Sequence, residues 1–538
     1  MPSRHSLLRV LHRACQAATR HPVPVLEEDT ELRLLGLGSL QAMEMLVVIE
    51  QELGVRLDDT AVYGARTAGD LCDAVARALD AVQPPTTHPR PAPEAGSAVP
   101  RPTPPAAGPR PDNDVPVPRP DTGTLSAGTG GEPDAFAAPH TRGLHAIVEL
   151  VSQSPHPVPY FAVHDGRPGA TTVVDGETRT LFSSYDYLGL GGDPHVMRAA
   201  KEAIDRFGTT VAASRAASGE RPVHRELEAS LAGFLRAEAA LAFVSGHATN
   251  VSVLGHLAGP GDLVVYDKLA HNSLVQGAEL SGARRRVFPH NDMAFLDRLL
   301  TAERHHHRRT VVVVEGVYSM DGDLADLPAL VELRDRHRVT LYVDEAHSIG
   351  VLGPSGAGVV DHWQVPPEAI DVRMGTLSKA LASTGGFVAG ADSLITHLKQ
   401  TTPGFVYSVG LAPSVAAAAH AALAQLRARP HLAAAARRQA DLFRDLAGKA
   451  GLDTGGSSTG SCVVPVIVGA DRTALDLAAR LAARRVSVCP FVSPAVEQGQ
   501  ARLRFFVTAR HTDAQIEEAV TATAELLADL TSVPASGG

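Results

Sequence analysis

The sequence predicts an α/β protein: a large lobe built on a mostly parallel sheet, a smaller C-terminal α+β lobe, and a small all-α domain ahead of both. Three observations carry this. Short apolar runs, ALAFV (240–244), LVVYD (263–267), TVVVVEG (310–316), VTLYVDE (339–345) and DVRMGTLS (371–378), alternate with helical stretches such as LADLPALVELRDRH (324–337). Strands that are apolar along their length are buried on both faces, as in a parallel sheet covered by helices. At 538 residues the chain exceeds what one core supports. Residues 83–140 hold 16 of the 38 prolines and a single aromatic, Phe136, too little apolar surface to fold.

Taken in order, residues 1–82 show helical spacing twice. Leu7, Val10, Leu11 and Ala14 mark one helix, and Leu40, Met43, Val47 and Leu53 another. Residues 83–140 read as a Pro-rich linker, whose coil span is about 40–45 Å. Residues 141–425 hold an N-terminal arm and the large lobe. Residues 426–538 are assigned to the small lobe. Long Ala-rich helices (414–451) lead into it, followed by strands near SCVVPVIV (461–468) and ARLRFFVTA (501–509).

Composition narrows the function. The net charge is −10, from 49 basic and 59 acidic residues, with no basic stripe, which argues against nucleic acid as a partner. No stretch of 18 apolar residues occurs, so no membrane span is expected. Cys15, Cys72, Cys462 and Cys489 are widely scattered, without metal-ligand spacing, as in a reduced cytoplasm. GPSGAG (353–358) lacks the spacing of a dinucleotide loop, and HHHRR (305–309) reads as a polar loop before a strand, so no metal site is predicted.

The chemistry concentrates at the ends of two neighbouring apolar strands. VDEAHSIGVLG (343–353) places Asp344 and His347 at one, and GTLSKALASTGGF (375–387) places Lys379 at the other. A lysine that forms a Schiff base, beside a carboxylate that keeps a pyridine nitrogen protonated, is what pyridoxal 5′-phosphate (PLP) needs to act as an electron sink. FVSGHATN (243–250) follows a strand and opens a helix, so free backbone N–H groups can meet an anion at Ser245, Gly246 and His247.

Two resemblances extend this reading. ELRLLGLGSLQAMEMLVVIEQELGV (31–55) resembles acyl carrier domains, which implies that Ser39 carries 4′-phosphopantetheine, with Glu44, Glu50 and Glu52 forming an acidic docking face. From about 180 to 515 the chain resembles the α-oxoamine synthase family of fold-type I PLP enzymes. The matching runs, in order, are SYDYLGL (184–190), SGERPVHRELE (218–228), FVSGHATN, DKLAHNSL (267–274), EGVYSMDGD (315–323), VDEAHSIGVLGPSGAG (343–358), GTLSKALASTGG (375–386) and GQARLRFFVTARHT (499–512). The resemblance implies that Lys379 binds PLP covalently and Asp344 holds its ring nitrogen. Ser319 and His347 would reach the ring 3′-oxygen, and His271 would stack on the ring and touch substrate. Ser245, Gly246, His247 and Thr376 would hold the phosphate. Arg504 would grip the amino-acid carboxylate, and Ser408 would reach the cofactor of a second subunit in a homodimer. Tyr185 stands where many relatives have asparagine, as in the serine-using branch. Val492 stands where some have a second arginine, and Val409 where many have a polar residue.

The expected reaction is a decarboxylative condensation of a small α-amino acid (glycine, alanine or serine) with an acyl thioester carried on Ser39. It gives an α-aminoketone and suits secondary metabolism. The implied partners are a phosphopantetheinyl transferase and an acyl-loading enzyme. Three alternatives stand beside it: a CoA-dependent synthase with a vestigial carrier, since Gly38 replaces the usual aspartate before the serine; an aminotransferase or decarboxylase on the same fold; and a non-catalytic docking scaffold.

Overall fold

The structure is a computed structural model. It describes residues 4–19, 23, 25–30, 32, 45, 48–49, 52–53, 57, 65, 67–81 and 160–532. Ser39, Gly38 and the linker 83–140 lie outside the described residues, as do Leu40, Met43 and Val47.

In the N-terminal domain, helix Arg4–Thr19 turns Leu7, Val10, Leu11 and Ala14 inward, as their spacing predicts. They share a core with Leu71, Cys72 and Val75 of helix Ala68–Ala81. That second helix opens with a reciprocal cap: Thr67 N–H donates to Asp70 Oδ2 at 3.0 Å and Asp70 N–H to Thr67 Oγ1 at 3.2 Å.

The large lobe is organised by a seven-stranded sheet: β1 (Ala239–Phe243), β2 (Leu263–Asp267), β3 (Arg284–Phe288), β4 (Thr310–Glu315), β5 (Thr340–Asp344), β6 (Val372–Thr376) and β7 (Gly386–Gly390). Their spatial order is β1-β7-β6-β5-β4-β2-β3. All neighbours pair in parallel except β7, which is antiparallel to both β1 and β6. Alternate residues feed opposite cores. Val265, Val312, Val314, Leu341 and Val343 join one cluster, and Val264, Val311, Val313, Tyr342 and Met374 the other. The sheet is therefore covered on both faces, as its apolar strands predict.

Two strands of this sheet had no counterpart in the sequence reading. β3 begins with three arginines, and β7 (GFVAG) is too glycine-rich to read as a strand. The glycine at the start of β7 has a steric reason. A Cβ on Gly386 would lie 2.4 Å from Thr249 Oγ1 and 2.7 Å from the Cα of Gly246, so only glycine lets this strand and that helix start approach so closely.

The C-terminal part forms a second sheet, Val463–Gly469, Ala501–Phe506 and Cys489–Phe491. A third sheet joins the hairpin Thr171–Val174 and Glu177–Leu181 to Val486–Ser487, tying the beginning of the catalytic part to its end. One continuous core runs through both lobes. Among the described residues no helix is long and apolar enough to cross a membrane.

The base of the sheet contains a buried ion pair. Arg373 on β6 donates to Glu345 Oε1 at 2.7 Å, to the Leu235 carbonyl at 2.9 Å and to the Ala357 carbonyl at 2.8 Å. Glu345 Oε2 in turn accepts from Ser348 Oγ and Val359 N–H, which holds the loop after β5. Removing one partner strands the other charge in the core. Arg373→Ala should cost about 3–5 kcal/mol, read as a lowered denaturation midpoint in urea.

Candidate active site

Parallel strands deliver their last residues to one edge of the sheet, where α/β proteins place ligands. Glu315 ends β4, Asp344 ends β5 and Thr376 ends β6, with Glu315 and Asp344 opposite one another in register. Beside these strand ends, between the large lobe and the small one, lies a cleft of about 830 Å³. Tyr185, His271, Ser319, His347, Lys379 and Arg504 all line it. The structure thus brings together residues that the sequence scatters over 320 positions.

Asp344 is buried and doubly fixed. Asn250 Nδ2 donates to its Oδ2 at 2.7 Å, and the Ala346 N–H to its Oδ1 at 2.9 Å. Asn250 is itself held, by Tyr342 Oη donating to its Oδ1 at 2.8 Å and by Ser273 Oγ, which accepts from its Nδ2 at 2.9 Å. Burial lowers the affinity of the Lys379 amine for its proton, partly opposed by Asp344 and Glu315. Its Nζ lies 5.7 Å from the centre of the Tyr185 ring. A partly desolvated amine of lowered pKa is what Schiff-base chemistry and proton transfer require. The His271 ring is likewise kept towards neutrality by burial, against the pull of Asp344. Its Nδ1 pairs with Ser273 Oγ at 2.7 Å. His347 is driven well below its usual value by burial and by the nearby Lys379 and Arg504, and its Nδ1 meets Tyr187 Oη at 2.7 Å.

The anion end lies at the start of helix Gly246–Leu257. Ser245 caps it, its Oγ accepting from the Ala248 N–H at 3.0 Å. Gly246 and His247 therefore carry first-turn N–H groups that no carbonyl of the helix can take. Thr376 Oγ1 stands against Gly246, 2.9 Å from where a Cβ would be, and shares a 2.7 Å hydrogen bond with Ser378 Oγ. Backbone donors, two hydroxyls and a helix N-terminus form a cradle that fits a phosphate.

Arg504 supplies the opposite wall. Its Nη1 donates to the Ser319 carbonyl at 2.8 Å, and its guanidinium packs 4.1 Å from the Phe491 ring centre and 4.5 Å from that of Phe506. Burial lowers its pKa, yet its Nε has no hydrogen-bond partner among the described residues. A buried guanidinium with an open donor is matched by a carboxylate.

The sequence reading missed four residues here. Glu315 ends an apolar strand just as Asp344 does, and that parallel was the available signal. Burial and then the charge of Asp344 raise its pKa well above the usual range. Asn250 closes the SGHATN run, and Tyr187 lies in SYDYLGL. His290 gave no signal of its own. Ser408 is apart from the cleft within this chain, half-buried beside Arg215 and Phe405. Val492 is buried, as an apolar replacement for arginine should be.

This arrangement defines a fold-type I site for PLP, and comparison with known proteins agrees. Residues 177–522 match the class I and II aminotransferase family, and residues 9–75 match the phosphopantetheine attachment site. The chain is 43% identical over 364 residues to the 8-amino-7-oxononanoate synthase of Geobacter sulfurreducens, covering 67% of this chain and 92% of that one. The same enzyme of Treponema denticola is 39% identical over 356 residues, covering 66% and 89%. Among solved structures, a serine palmitoyltransferase with PLP as its internal aldimine superimposes with a TM-score of 0.70 at 29% identity, covering 73% of this chain and 99% of that one. The Sphingomonas wittichii serine palmitoyltransferase gives 0.69 at 29% identity, covering 75% and 100%. The chain belongs to the class I and II aminotransferase family, in its α-oxoamine synthase branch, with a carrier domain at its N-terminus.

Two predictions follow from the geometry. Asn250→Ala should leave PLP bound through the phosphate cradle but free the Asp344 side chain, lowering turnover about tenfold or more while the cofactor absorbance persists. His290 lies between Asp267 Oδ1 at 2.9 Å and Asp323 Oδ2 at 2.7 Å. Burial opposes its charge, but the two aspartates outweigh it and push its pKa up to about 10. Its stabilising effect is therefore full below the unfolded value near 6.5 and is lost as pH rises through about 10. The difference in melting temperature between wild type and His290→Asn should shrink across that window.

Proposed function

We propose that the chain condenses a small α-amino acid with an acyl group borne on phosphopantetheine at its own Ser39, releasing CO₂ and an α-aminoketone. The observation that supports this most is a carboxylate-matched, open-donor Arg504 across the cleft from Lys379, in a chain that also carries its own phosphopantetheine attachment region.

PLP, held at Lys379, Asp344 and the Ser245–His247 cradle, supplies an electron sink for the amino-acid Cα. The chain's residues do the rest. Arg504 binds and orients the amino-acid carboxylate. Lys379 Nζ, with its lowered pKa, takes the Cα proton and later returns one. Asp344, pinned by Asn250, keeps its carboxylate aimed at the base of the site. His271, kept towards neutrality, can donate or accept a hydrogen bond beside the reacting carbon. The bond from Cα to the acyl carbon forms as the thiolate of the arm leaves, and the amino acid's carboxyl is then lost as CO₂. Ser408 contributes from the partner subunit of a homodimer, in the cytosol, where the four thiols stay reduced. Tethering the donor keeps its local concentration in the millimolar range.

Arg504→Ala should raise the Michaelis constant for the amino acid about 10- to 100-fold, as expected for a charged hydrogen bond of about 1.5–3 kcal/mol, with little change for the thioester. Steady-state kinetics with each substrate varied will separate the two. Incubated with a phosphopantetheinyl transferase and CoA, the full chain should gain one arm by intact mass and Ser39→Ala none. Acylation of the arm should then permit aminoketone release only when amino acid is added. A chain that gains no arm yet turns over acyl-CoA would favour the CoA-dependent alternative that Gly38 raises.

A further inference from the structure

β3 is the open edge of the large sheet, and it begins Arg284-Arg285-Arg286. Strand alternation sends Arg284 and Arg286 to one face, where each lies within 3.7 Å of Glu303 Oε1. It sends Arg285 to the other, 2.8 Å from Glu279 Oε1. An edge strand ordinarily leaves its charged side chains in water. Arg286 is nevertheless only 2% exposed. Its Nη1 donates, at 3.4 Å, to the backbone carbonyl of Leu57, a residue of the N-terminal domain's own core. In the sequence Leu57 is followed at once by Asp58 and Asp59. In the sequence, two acids thus come directly after the residue whose carbonyl Arg286 holds.

The position of this contact matters as much as its chemistry. β3 runs parallel to β2, so its C-terminal end leads to the cleft. His290, four residues beyond Arg286 and just past the end of β3, lines the cleft, at most about 13 Å away along the chain. Beside it Lys268, which follows β2, lines the same mouth and pairs with Glu497 at 2.6 Å.

We propose that the edge of β3 at Arg286 is the docking surface for this chain's own carrier domain, met at Leu57, so that the acyl arm enters the cleft past His290 and Lys268. The proposal rests on the reading of Ser39 as the arm's attachment point, and its test separates the two. The full chain, with an octanoyl arm confirmed by mass, is compared with octanoyl-N-acetylcysteamine as a free donor, with glycine, alanine and serine offered in parallel. Arg286→Glu should slow single-turnover consumption of the arm-borne octanoyl group about tenfold or more and leave use of the free donor unchanged. Asp58→Lys/Asp59→Lys, which leaves the catalytic lobe untouched, should do the same. Combining it with Arg286→Glu should restore the rate, an outcome that a merely structural role for Arg286 cannot give. Should Arg286→Glu lose its cofactor absorbance, the carrier-side variant decides alone. Unchanged arm-borne turnover in that variant, or equal loss with both donors, overturns the docking surface. So does a single-turnover rate proportional to protein concentration, which would mean that another molecule's carrier is used. A wild type that consumes the free donor but never its own loaded arm refutes carriage on Ser39 itself, and the docking surface with it.

Discussion

The hydrogen bond from Asn250 to Asp344 is the constraint on which the catalytic centre depends. Asn250 lies on the helix whose first turn forms the cradle that fits an anion, and Asp344 ends the central strand β5. One 2.7 Å contact therefore fixes the distance between the anion-binding end of the site and the carboxylate at its base. A cofactor that is gripped at both ends needs that spacing set before it arrives. The glycines of this region serve the same end, since Gly246 and Gly386 let the helix start, β7 and Thr376 close on one another without a Cβ between them.

The second requirement is that two lobes act as one body. Arg504 stands on a strand of the small sheet but donates to the carbonyl of Ser319 in the large lobe. This cation is thus positioned by one lobe and oriented by the other. The continuous apolar core opposes relative movement, so packing holds the shape of the cleft.

Much of this was legible in the sequence, for identifiable reasons. β2, β4, β5 and β6 are apolar throughout because both faces are covered, and such strands announce themselves. β3 did not, because an edge strand that carries three arginines has no apolar pattern to read. β7 did not, because close approach to a helix start demands glycine. At the site, Lys379, Asp344, His271 and Arg504 stood in runs that a resemblance could carry. Asn250, Tyr187 and Glu315 lay in those same runs, but their importance comes from what they touch: a carboxylate, an imidazole and a neighbouring strand end. His290 was invisible because its two aspartate partners come from the end of β2, 23 residues before it, and from a loop 33 residues after it.

The two histidines at the mouth and the base of the cleft are set to opposite states. His290, clamped between Asp267 and Asp323, holds its proton throughout the physiological range, whereas burial keeps His271 near neutrality. A ring that never releases its proton is useless as a relay, and one that readily stays neutral can serve as either donor or acceptor. The cleft consequently has a polarity along its length, with fixed charge at the outer wall and adjustable protons within.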